Sequence, residues 1–107
     1  MKYFSFKKSE IDQIFKNSKL KARVSGLKLL HGPTKLDYGK ILIVIPASSG
    51  KAVERNKFKR RVKSIFYEEG LFQIPVNWVL LAYKDAMGLS FEEIKKFLVG
   101  QIKSKIN

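Results

Sequence analysis

The chain has 107 residues, room for a single small domain spanning 1–107 with one modest core. Apolar residues make up 45% of it, which excludes compositional disorder, and the absence of cysteine excludes disulfides, thiolate metal sites and thiol nucleophiles. Twenty-two Lys and Arg against nine Asp and Glu leave a net charge of +13, a self-repelling excess that calls for an anionic partner.

Ser9, followed by Glu10 and Asp12, has the chemistry of a helix start, a capping hydroxyl and then acids in the first turn. Ile11, Ile14 and Phe15 recur at helical spacing, so a short helix is predicted to about Asn17. Leu20 to Leu30 reads as extended, with Val24, Leu27, Leu29 and Leu30 as its apolar members and Ser25-Gly26 as a bend or bulge. His31-Gly32-Pro33-Thr34 is a turn by composition. A third extended segment runs from about Asp37 to Pro46, and its β-branched centre Ile41–Ile45 fits a strand covered on both faces. Ala47–Gly50 is a loop. From Lys51 to about Glu69 the period is helical, with Phe58, Val62, Ile65 and Phe66 on one side and Gly70 as the C-cap. Val76 to Tyr83 reads as a buried strand. Ser90 and Glu93 form a capping box for a last helix with the apolar stripe Phe91, Ile94, Phe97, Leu98 and Ile102. The order α-β-β-β-α-β-α predicts an α+β sandwich, a four-stranded sheet with helices against it.

Two partners fit the charge, nucleic acid and anionic membrane. The basic residues are spread through a folding-competent chain and do not form a juxtamembrane tail, which favours nucleic acid. The apolar run Ile41–Ile45 is far shorter than the ~20 residues of a membrane span, and the N-terminus lacks a signal-peptide core; no membrane partner and a cytoplasmic location are expected.

The informative stretch is Gly50-Lys51-Ala52-Val53-Glu54-Arg55-Asn56-Lys57-Phe58-Lys59-Arg60-Arg61-Val62-Lys63. Its cations spread over most of the helix circumference not taken by the apolar side. Like charges at i and i+4, such as Arg55/Lys59 and Lys59/Lys63, disfavour the helix by a few tenths of a kcal/mol (roughly) per pair. A polyanion lying along it relieves that repulsion and releases counterions. Three of the four arginines sit here, and arginine forks onto phosphate or a guanine edge. The bland alternative is a solvated basic face on a surface helix.

This stretch resembles the signature of bacterial ribonuclease P proteins, close to S-K-K-x-G-N-A-V-x-R-N-R-x-K-R on a basic helix after a buried strand. Gly50, Ala52, Val53, Arg55, Asn56, Lys59 and Arg60 stand at matching positions. Lys57 replaces the second arginine of the Arg-Asn-Arg core, Lys51 replaces the usual Asn, and Pro46, Ala47 and Ser48 stand where the family has Ser-Lys-Lys. Length, basicity, element order and the early Phe15-Lys16 pair agree as well.

The resemblance implies a ribonucleoprotein that removes the 5′ leader of precursor tRNA endonucleolytically, in which the RNA subunit is catalytic and uses Mg2+. The protein is its accessory subunit, expected one per RNA, with no catalytic residue and no metal site of its own. The implied fold is of the ribosomal protein S5 domain 2 type with a left-handed β-α-β crossover, a hand opposite to the usual rule. Carried over residue by residue, the RNA-binding set is Arg55, Asn56, Lys57, Lys59 and Arg60, with Arg61 added from its place in the basic stretch. A leader cleft between the first helix and the sheet falls at Ile11, Phe15 and Leu29, with Lys16, Lys19 and Arg23 as phosphate contacts at its edge. Aromatic faces suit splayed bases; Phe15 is the one aromatic of that set and fits plain core equally well, and Tyr3 or Phe4 could take over stacking.

A protein-only enzyme is disfavoured by composition. The carboxylates are scattered, His31 is the sole histidine and sits in a turn, and Ser48-Ser49-Gly50 lacks the frame of a nucleotide-binding loop. A structural RNA-binding protein, such as a ribosomal one, shares the charge, size and fold class, and only the signature around Arg55 separates the two. Trp78 and Tyr83 are expected in the core of the last strand.

Overall fold

A computed structural model describes residues 2–104. Three helices, α1 (Lys8–Asn17), α2 (Ala52–Glu68) and α3 (Phe91–Lys103), accompany four strands, β1 (Lys19–Val24), β2 (Leu27–Gly32), β3 (Lys40–Val44) and β4 (Asn77–Ala82). The strands form one mixed sheet in the order β1-β2-β4-β3, antiparallel for β1/β2 and β2/β4 and parallel for β3/β4. The parallel pair requires a crossover, and α2 supplies it. This is the α+β arrangement predicted from the element order.

The three helices begin in related ways. Ser90 and Glu93 make the full reciprocal box at α3, with Glu93 N donating to Ser90 Oγ at 3.1 Å and Ser90 N to Glu93 Oε1 at 3.0 Å. At α1 and α2 only the carboxylate half is present, from Glu10 to the N–H of Lys7 (3.1 Å) and from Glu54 to that of Lys51 (3.0 Å). Ser9, the expected cap of α1, therefore lies inside the first turn, and Lys7 takes the cap position. A carboxylate three residues on satisfies the orphan donor whatever side chain stands at the cap. At the far end of α2, Gly70 adopts φ 65°, the left-handed conformation expected just past a helix.

Ser25-Gly26 is the two-residue turn of the β1/β2 hairpin, with φ values of 40° and 82°. Successive positive φ values match the twist of the flanking strands. The bulge lies elsewhere, between Leu20 and Ala22 in β1. Gly26 packs so tightly that an added Cβ would stand 2.8 Å from Ala86 N.

Pairing sorts the side chains onto two faces, since residues in register share a face and neighbours along a strand alternate. One face carries Leu27, Leu29, Ile41, Trp78, Leu80 and Ala82, buried against Phe58, Val62, Ile65 and Phe66 of α2 and Ile94, Leu98 and Ile102 of α3. The other face is crossed by two rows, Leu20–Leu30–Val79–Leu42 and Arg23–Lys28–Leu81–Val44. Against it lies α1, with Ile14 and Val79 both buried. The free edge of β3 is flanked by a short turn, Lys2–Phe4. The opposite edge, β1, carries Lys19, Lys21 and Arg23.

Candidate nucleic-acid interface

The start of α2 is held by its own sequence. Ser49 is buried and donates its hydroxyl to Ala82 O at 3.1 Å, tying the β3–α2 loop to the end of β4. Arg55 folds back so that Nε donates to Gly50 O at 3.1 Å, which commits one donor of the guanidinium and leaves the rest of its fork. A Cβ at Gly50 would approach Glu54 Oε1 at 3.1 Å, crowding the carboxylate that caps the helix. The glycine, glutamate and arginine of this stretch thus fix where the basic helix begins.

Beyond that point Val53, Asn56, Arg60, Lys63 and Tyr67 recur at spacings of three and four, which makes them one stripe along the helix. All five are exposed, and Val53, at 77%, is the most exposed large apolar residue described. Lys57 is exposed beside the stripe, while Arg55 and Lys59 are half-buried at its flank. Arg61 stands apart. It is half-buried on the α3 side, where Nη1 donates to Leu89 O at 3.3 Å, so it staples α2 to the loop before α3 although it stands one turn after Lys57.

Among the described residues the ion pairs are Lys40–Glu10 at 3.3 Å and Lys95–Glu69 at 3.6 Å, and neither uses a cation of α2. Of the acids nearest the basic stretch, Glu54 is committed to its cap and Glu69 to Lys95, and Glu68, five residues beyond Lys63 at the end of α2, pairs with no described cation. The positive charge of α2 is therefore left to solvent or to an anion.

The second candidate surface is the sheet face beneath α1. Phe15, at 44% exposure, lies outside the core, Ile11 is half-buried and Lys16 is exposed. Arg23 is exposed opposite Lys28. Leu29 does not belong here. It is fully buried opposite Leu80 on the face covered by α2 and α3, and its neighbour Leu30, paired with Leu20 and Val79, occupies the α1 face.

Tyr83 also departs from expectation. It is 38% exposed, not core, and continues the β2/β4 ladder through Tyr83 N to Gly26 O at 2.9 Å. Alternation from Val79 and Leu81 places it on the α1 face, where Lys28 Nζ lies 5.6 Å from its ring centroid. Trp78 is in the core as predicted. Tyr3 and Phe4 sit at the outer edge of β3, packed on Phe72 and Phe66, away from this face.

One carboxylate fixes the wall formed by α1. Glu10 caps the helix with Oε1 and reaches Lys40 Nζ with Oε2, and Lys40 is nearly buried with its ammonium 4.3 Å from the Phe6 ring centroid. The Lys7 N–H holds the Glu10 carboxyl below its ordinary pKa; partial burial opposes this, and Lys40 lowers it further. Beside the helix, a groove of about 640 Å³ runs between Glu10, Gln13 and Asn17 on one side and Pro33–Leu36 and Asn77 on the other.

The chain matches the Ribonuclease P family over residues 6–105. It is 32% identical over 94 residues to the ribonuclease P protein component of Bacillus pumilus, covering 86% of this chain and 78% of that one. Among solved structures, the RNase P protein of Staphylococcus aureus superposes with a TM-score of 0.81 at 20% identity, over 96% of this chain and 94% of that one. The RNase P protein of Thermotoga maritima does so with 0.80 at 24% identity, over 94% and 96%. The four-stranded mixed sheet with its three helices is thus a fold shared with these proteins, and the chain belongs to the ribonuclease P protein family.

Proposed function

We propose that the chain is the protein subunit of a ribonuclease P ribonucleoprotein, which acts in tRNA processing by removing the 5′ leader of precursor tRNA. In this reading α2 lies on the catalytic RNA. Asn56, Lys57, Arg60 and Lys63 meet its backbone directly, Arg55 and Lys59 reach it from the flank, and Arg61 contributes field more than contact. The observation that carries it is the set of cations on α2 with no carboxylate partner among the described residues. Phosphates supply the missing counter-charge, and release of condensed counterions supplies affinity.

The α1 face takes the single-stranded leader. Phe15 and Tyr83 offer ring faces, Leu30 and Leu81 an apolar floor, and Lys16, Arg23 and Lys28 the charge for phosphates. Stacking on such a surface tolerates any base, as a subunit serving many precursor tRNAs requires. Among the described residues no three of His, Cys, Asp and Glu come together as a metal-binding group. In this reading Mg2+ is held and used by the RNA, and no ligand role is given to a protein side chain. The protein's share is to bind substrate, one copy per RNA, in the cytoplasm where tRNA processing takes place.

Reconstitution tests the reading. The chain added to a bacterial ribonuclease P RNA at low magnesium should accelerate leader removal, and more for substrates with a long leader than for those with a minimal one. Folded protein that gives no acceleration would favour a structural RNA-binding role of the ribosomal kind.

A further inference from the structure

The exposed stripe of α2 does not end with its cations. Tyr67 stands four residues after Lys63 and seven after Arg60, on the same line and at 51% exposure. From Val53 to Tyr67 that line is about 21 Å long at ~1.5 Å per residue. Tyr67 sits there as part of an ordered group of rings. It lies against Phe72 with centroids 5.8 Å apart and planes 20° apart, and Phe72 lies against Tyr3 at 4.3 Å and 22°. Next to it is a depression of about 340 Å³ lined by Phe4, Ser5, Lys63, Ser64, Tyr67 and Glu68. Lys63 Nζ is 5.6 Å from the Phe4 ring centroid, at the edge of this depression.

Burial does not account for Tyr67, since half of the residue remains in solvent. Phe72 and Tyr3 support the ring, so it loses little freedom when its open side is covered. The surroundings match a nucleotide: an aromatic face for the base, an ammonium about one turn away for the phosphate, and a run of basic side chains leading to it. The Glu68 carboxylate repels phosphate from its own side of the depression. It directs the backbone toward Lys63 and offers an acceptor to a base amino group.

We infer that Tyr67 is a base-stacking residue: an unpaired nucleobase of the RNA lying along α2 covers its ring, with the adjoining phosphate at Lys63. This rests on the reading of α2 as the RNA-binding helix and extends that interface by one nucleotide-sized site at its C-terminal end.

The test is equilibrium binding of the full chain to a transcribed bacterial ribonuclease P RNA over a salt series, for the unsubstituted protein, Arg60→Ala, Tyr67→Ala, Tyr67→Leu and Tyr67→Phe. Stacking carries no counterion release, so Tyr67→Ala and Tyr67→Leu should weaken binding about tenfold with the salt slope unchanged, and Tyr67→Phe should restore it. Leucine keeps an apolar contact with Phe72. Wild-type affinity in Tyr67→Leu would therefore make the ring mere packing and overturn the inference, as would a change in oligomeric state at unaltered RNA affinity. Ultraviolet crosslinking of the unsubstituted complex gives a readout independent of folding; a nucleotide adduct on Tyr67 is expected, and a map confined to other residues speaks against it. Should Arg60→Ala bind normally too, the reading of α2 itself fails. Should Arg60→Ala weaken binding and flatten the slope while the Tyr67 variants bind normally, only the stacking site falls.

Discussion

The two faces of the sheet are finished to different degrees. On the side of α2 and α3, the inward residues Leu27, Leu29, Trp78, Leu80 and Ala82 are sealed, with Val24 at the β1 edge left 42% exposed, and the exposed cations of α2 point away from that core. On the side of α1, one short helix covers a wider surface, leaving Phe15, Leu20 and Tyr83 in partial contact with water, with Lys28 over the Tyr83 ring and Arg23 opposite Lys28. Both sides combine basic and apolar residues, yet the first sets most of its apolar residues beneath α2, with Val53 and Tyr67 the exposed exceptions among its cations, and the second mixes the two characters in one plane. A surface dominated by charge reads mainly backbone phosphates; one that interleaves rings with cations throughout can hold unstacked bases.

That contrast sets the size of each expected effect. Leu29 and Leu30 are neighbours on opposite faces, and replacing each by alanine should separate them most clearly. Leu29→Ala should lower unfolding free energy by about 2–5 kcal/mol in denaturant titrations, the range for a fully buried leucine. Leu30→Ala should cost clearly less stability and instead reduce the affinity gained from a leader. Equal losses of stability would erase the distinction between the faces.

On the charged side, Arg55→Ala combined with Arg60→Ala should weaken binding to ribonuclease P RNA. The slope of log affinity against log salt should fall by about two, because each arginine neutralises one phosphate. Leader-dependent discrimination should survive, because the second surface is intact. On the mixed side the pattern reverses. Tyr83→Ala should cost about 1–2 kcal/mol of leader-dependent affinity, Tyr83→Phe should bind like the unsubstituted chain, and neither should alter the salt slope for the RNA subunit alone.

The smallest effect concerns acid. The Glu10 carboxyl is lowered in the folded protein, first by the Lys7 N–H and also by Lys40. Its stabilisation is therefore present above the unfolded value of about 4.3 and is lost as pH falls through the lower folded value. Glu93, lowered by the Ser90 N–H, has the same sign. Melting temperature should fall on acidification, and Glu10→Gln should flatten part of that fall, with the two proteins converging once Glu10 is protonated.

The features legible in sequence are those fixed by local chemistry. The apolar side of α2, the box at Ser90 and Glu93, the left-handed Gly70 and the element order all follow from residues within a few positions of one another. Strand facing is less accessible. Leu29 and Leu30 are both apolar, and only their pairing with Leu80 and Val79, some fifty residues away, decides which is inward. Tyr83 differs from its expected core position for the same reason, since an apolar strand covered on both faces gives no alternation to read. At Ser25-Gly26 the composition signals a bend, but a hairpin turn and a bulge share that chemistry until the strands are paired. Arg61 looks like its neighbours in the basic run, and only the approach of Leu89 distinguishes it.

One consequence concerns the outer edge of the sheet. Among the described residues the far side of β1 has no neighbouring strand, so its backbone could template the addition of another chain, and Leu20 and Val24 would make that encounter adhesive. Lys19, Lys21 and Arg23 along the same strand oppose it by mutual repulsion. Their positive charge thus guards against aggregation before any RNA is bound, and substitutions that neutralise it would trade solubility as well as grip.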